Sequence, residues 1–169
     1  MSRYNQWLNH KIYQAALQLG NEKIQTSQNA FFDSIIGTLN HIYVADIIWL
    51  NRFAQHPINY QALQNLPEID NLTALDQIAS NSIKELSNLR KELDNIIIEW
   101  CQEINLDDLE SNLQYANTKG VQYSKNLGEL IHNFFNHQTH HRGQVSTLIY
   151  QQGVDIGVTD LLAVIQDKE

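Results

Sequence analysis

Residues 126–152 read NLGELIHNFFNHQTHHRGQVSTLIYQQ, and this stretch decides the fold. Leu127, Leu130, Ile131, Phe134, Val145, Leu148 and Ile149 recur at helical spacing and gather on one arc of a helical wheel. Gly153 follows, where a left-handed residue would close the helix. The same stretch holds His132, His137, His140 and His141, four of the chain's seven histidines. At about 100° per residue, His141 falls inside the apolar arc and His137 at its edge, whereas His140 and His132 point away from it. The helix therefore carries one inward pair of histidines, stacked a single turn apart.

Working towards the N-terminus, three further helical segments emerge. Ser2 to Leu19 places Tyr4, Leu8, Ile12, Ala15 and Leu19 three and four residues apart before Gly20-Asn21. Gln28 to Ala54 is apolar nearly all round and ends before His56-Pro57, which predicts a long helix buried on both faces. Residues 57–70 contain both prolines and read as a loop. From Leu72 and Leu75 through Ile78 to Trp100 a helical stripe resumes. Asn105 to Lys125 is a polar connection with a short extended stretch at Leu113 to Ala116, and Asp160 to Gln166 adds one or two turns. These segments predict an all-α protein, a four-helix bundle with a short C-terminal helical extension, as a single domain over residues 1–169.

Composition narrows the function classes. Hydrophobic residues are 43% and charged residues 18% of the chain, which suits a packed core. A net charge of -8 without any Lys/Arg cluster disfavours a nucleic-acid partner. No apolar run reaches the length of a membrane span, and MSRYNQWLNHK has no signal-peptide core, so a cytoplasmic protein without membrane contact is expected. Cys101 stands alone and reads as a packed small residue.

His137 and His141 have the H-x3-H spacing that lets two imidazoles share a metal ion. The spacing alone also suits two histidines hydrogen-bonded within a polar core layer. A bundle metal site needs a ligand from another helix, and the second helix offers His41. On its wheel His41 lies opposite a bulky stripe of Phe32, Leu39, Tyr43 and Leu50 and shares its face with Ser34, Gly37, Thr38, Ala45 and Ile48, which would leave a concavity for an ion and a small ligand. Three imidazoles with open positions match catalytic coordination of one divalent ion, zinc or nickel first, with iron and manganese also accepted by such donors.

The segments TLNHIYVADIIWLNRF and FNHQTHHRGQV resemble the DinB family, also described as DinB/YfiT-like metalloenzymes. The resemblance matches His41, His137 and His141 to the family's metal ligands, with Arg142-Gly143-Gln144 following as the family has them. RYNQWLNHKI and VDIGVTDLL are similar to its opening helix and to the stretch that closes its pocket, which implies that Tyr4, Asn5, Trp7 and Asn9 line the pocket mouth. It further implies an up-down-down-up bundle, a homodimer and a role in stress response. Relatives of this fold include transferases and isomerases that use low-molecular-weight thiols. Three functions follow as expectations: thiol-dependent transfer or isomerisation of a small electrophile, a metal-dependent hydrolysis with Asp46 or Asp160 as proton shuttle, or a non-catalytic metal- or ligand-binding dimer. Gln144 is expected at a helix-surface hydrogen bond or the pocket rim and Arg142 in an ion pair across the bundle. Trp49 and Trp100 are expected to be packing anchors.

Overall fold

The computed structural model describes residues 1–67 and 77–167. In chain order it contains α1 (Ser2–Gln25), α2 (Ile35–Phe53), a 3-10 turn (Gln61–Leu63), α3 (Ile83–Glu103), a short α4 (Leu106–Glu110), β1 (Asn112–Ala116), β2 (Gln122–Asn126), α5 (Leu127–Gln151) and a second 3-10 turn (Leu161–Val164). The described chain is mostly helical, with one two-stranded antiparallel sheet. None of its helices is long and apolar enough to cross a membrane.

Helix α1 packs chiefly on α3 and α5, and α2 on α5. Between them lies a core in which the Phe53 ring stacks on Trp100 at 4.7 Å and meets Phe134 edge-on at 5.8 Å. All three side chains are fully buried, each contributing roughly 1.5–3 kcal/mol through removal of apolar surface from water. Trp100 is thus a core anchor. Trp49 is half-buried, between Phe53, Tyr115 and the Arg52 guanidinium.

Boundaries differ from the sequence expectation where polar side chains intervene. Helix α1 runs past Leu19 to Gln25 because the chain breaks only locally at Gly20 (φ 80°, ψ 164°) and then buries Ile24. Helix α2 begins at Ile35, not Gln28. The residues before it form a tight turn with a backbone bridge between Ala30 and Asp33, and Asn29 and Asp33 have φ of 51° and 64°. Ser34 ends that turn by accepting the Gly37 N–H as an N-cap. The expected third helix starts at Leu72, which with Leu75 lies outside the described residues. Ile78 lies before the helix, not within it, and Ser82 caps α3 by accepting the Glu85 N–H. The cause is Asn40, fully buried on α2, whose carbonyl accepts from Ala79 and Ser80 N–H and whose amide donates to the Ser80 carbonyl.

The polar connection forms α4, opened by a reciprocal Asn105/Asp108 cap, and the β1–β2 hairpin. Strand β1 turns Leu113 and Tyr115 inward, as alternation dictates, whereas β2 is exposed and shows no such apolar signal. Helix α5 starts at the Asn126 cap and stops at Gly153, whose φ of 88° needs a residue without a Cβ.

Candidate metal centre

Helix α5 presents His137 and His141 on one face, and α2 presents His41 opposite them. The donor atoms of the three rings all lie within 4.8 Å of one another, a grouping that could hold a metal ion. His41 Nε2 and His137 Nε2 face each other at 3.2 Å. Two nitrogens across a tetrahedral zinc ion, with Zn–N near 2.0–2.1 Å, stand about 3.3 Å apart, so the pair has the span such an ion requires. His41 is buried and the other two are half-buried.

The protonation states also suit a cation. Burial pushes the His137 pKa down to about 4, and the neighbouring His141 and His41 rings push the same way. Burial lowers His141 as well, against a hydrogen bond to Gln144 that raises it. Gln144 Oε1 sits 2.8 Å from His141 Nδ1, and an amide oxygen can only accept. His141 therefore carries its proton on Nδ1 and leaves the Nε2 lone pair free, the outer-sphere arrangement that orients a metal-binding imidazole. The other end of the amide donates to His140 Nε2 at 3.3 Å. His140 and His132 are exposed, as the wheel predicts.

Phe32 corrects the reading of the His41 face. It precedes α2 in the turn at residues 28–34, so the wheel that put it opposite His41 does not apply. Its ring instead stacks on His41 with centroids 3.9 Å apart and meets His141 edge-on at 5.5 Å. The Asp33-Ser34 pair, a turn residue followed by an N-cap residue, was the available sequence signal.

A second polar cluster fills the middle of the fold. Asp46 accepts from Arg90 at 2.6 Å, and Arg90 lies 2.9 Å from Asp94, with all three buried. Burial pushes the Asp46 carboxyl up to about 6 while Arg90 pulls it down, so it remains ionised at neutral pH. Arg142 is buried too, but it donates to the amides of Asn5 and Gln138 and to Thr139 rather than entering the expected ion pair, because α1 places Asn5 and Asn9 between it and Asp94. Asn5 and Asn9 thus belong to the interior network, and Asn9 also lines a cleft between α1 and α3. Tyr4 donates to the Thr159 carbonyl at 2.7 Å, and Trp7 lines a cleft between α1 and α3. Asp160 is exposed.

Known proteins place the chain. It is 26% identical over 157 residues to Protein DinB of Bacillus subtilis (strain 168), an alignment spanning 93% of this chain and 87% of that protein. No solved structure matches it significantly. The model of the DinB family matches residues 1–169, and with both histidine segments inside that match the chain belongs to the DinB family.

Proposed function

We propose that this protein binds one divalent metal ion through His41, His137 and His141 and acts as a metal-dependent transferase or isomerase, joining a low-molecular-weight thiol to a small electrophile. The reading includes a single-domain, up-down-down-up four-helix bundle working as a homodimer in the cytoplasm. The observation that carries it is the convergence of three imidazole donors from two helices. Zinc or nickel suits these donors first, and iron or manganese is compatible with them. Among the described residues no carboxylate or cysteine joins the group, and a three-ligand set is the catalytic rather than the structural pattern.

A divalent ion held there supplies Lewis acidity that favours deprotonation of a coordinated thiol or water. The protein's own residues set the rest. Gln144 fixes the tautomer of His141, and Phe32 shields one side of His41 and His141. Cys101 is half-buried, with its thiol pushed up by burial, so a sulfur nucleophile has to come from outside the chain. The hydrolytic alternative is less well supported: Asp46 is committed to Arg90, and Asp160 stands exposed at the start of the second 3-10 turn.

Elemental analysis with a thiol-transfer assay tests the proposal. Wild type should carry close to one ion per chain, and His41→Ala and His137→Ala should carry almost none while remaining folded. The loaded wild type should consume glutathione, bacillithiol or mycothiol with a generic aryl halide. Folded wild type that takes up no zinc, nickel, iron or manganese would sink the metal reading. Loaded protein inert with every thiol leaves a binding protein in place of an enzyme.

A further inference from the structure

We infer that an apolar cavity beside the histidines is the binding site for the uncharged organic portion of the substrate, walled by the Phe31-Phe32 turn. This rests on the proposed metal-dependent reaction and narrows its substrate class. The cavity, about 310 Å³, lies between the turn and α5 and is lined by Phe31, Phe32, Thr38, Gln144, Thr147 and Leu148 among others. Its size is at the lower end of small-molecule sites.

Two of these residues belong to the metal centre as well. Phe32 stacks on His41, and Gln144 bonds His141, so a molecule in the cavity lies one side chain from the histidine rings. The remaining lining is apolar in a specific way. Thr38 Oγ1 donates to the Ser34 carbonyl and Thr147 Oγ1 to the Gly143 carbonyl, so both hydroxyl protons are spent on nearby backbone. Gln144 uses both ends of its amide on His141 and His140. None of the described lining residues is charged. An ionic group would lose water there without meeting an opposite charge, whereas an aryl or alkyl group loses nothing.

Phe31 supplies the reason for an occupant. Its side chain is 90% exposed, although it meets the Phe32 ring edge-on at 4.8 Å. The turn that holds it is fastened at its base: Ser27 Oγ donates to Asp33 at 2.6 Å, and Gln152 of the α5 C-terminus donates to Gln28 at 3.0 Å. A large apolar ring kept in water by an anchored turn, at the edge of an uncharged cavity, gains by closing over an apolar guest.

Fluorine NMR titration of zinc-loaded protein with 4-fluorotoluene tests this, with 4-fluorobenzenesulfonate as the charged comparator. Saturable binding of 4-fluorotoluene is expected, at least tenfold tighter than the sulfonate. It should weaken at least tenfold in Phe31→Ala, which removes the wall, and in Thr147→Trp, which fills the cavity; both positions are exposed, so both variants should fold. No saturable binding to loaded wild type, equal binding of the sulfonate, or indifference to both substitutions would overturn the inference. Zinc content measured on each sample separates the two ideas: protein without zinc defeats the metal reading, and the same titration on that sample then reads the cavity alone.

Discussion

Two polar clusters sit inside this helical protein, and they handle their chemistry in opposite ways. Around Asp46, Arg90 and Asp94, opposite charges meet and amides from α1 donate to the Asp94 oxygens, so charge is compensated within the cluster even though Asp46 Oδ1 and Arg90 Nε lack hydrogen-bond partners. Around His41, His137 and His141, three groups of one kind face each other, and burial together with the neighbouring rings lowers the basicity of His137 and His141, so donor capacity accumulates in one place. A self-compensated cluster holds helices together. An uncompensated one invites a cation, and the contrast explains why buried charge marks the scaffold here while neutral nitrogen marks the site.

That contrast can be broken by substitution. The largest effect is expected from Asp46→Ala, which leaves Arg90 buried with half its partners. Urea unfolding should show a loss of about 3–5 kcal/mol, while the metal-to-chain ratio of the folded variant stays at the wild-type value. A variant that kept its stability and lost its metal would show that the clusters are one unit.

A smaller effect is expected from pH. The Asp46 carboxyl ionises near 6 in the folded protein against an ordinary value of 3.8. Between those values the folded chain holds a proton that the unfolded chain releases, so this group's contribution is present below pH 3.8 and lost as pH rises through 6. Unfolding free energies of wild type and Asp46→Asn, compared at pH 4 and pH 7, should show the wild type losing ground to the variant by on the order of 2 kcal/mol at the higher pH. Parallel pH profiles would mean that Arg90 cancels the cost of burial.

The smallest effect sharpens the other side. Gln144→Leu should leave the fold intact and weaken zinc binding about 10- to 100-fold in competition with a chromophoric chelator, because His141 would lose the acceptor that fixes its tautomer. Unchanged affinity would reduce Gln144 to a cavity wall.

Much of this arrangement is legible in the sequence alone. The α5 stripe, its stop at Gly153 and the inward pair His137 and His141 follow from helical spacing. His41 stood out as the histidine available on another long apolar helix, and the three rings do converge. The 28–34 turn was not legible, because a segment apolar all round gives periodicity no contrast at which to end. The position of Phe32 was lost with it. The interior network escaped for another reason: a wheel shows which face a charge occupies, not which carbonyls and amides meet it. Asn5, Asn9 and Arg142 could be placed only once α1 was seen against α3 and α5.

Gly37 has a consequence for anyone wishing to re-size the pocket. A methyl group there would stand 2.1 Å from the Phe32 carbonyl oxygen, so the turn backbone rests directly on α2. Loop grafts or altered loop length would therefore shift the ring that covers His41 before they changed the volume. Redesign for larger or smaller guests has its freedom in the side chains at 31, 147 and 148, over a main chain that must be kept as it is.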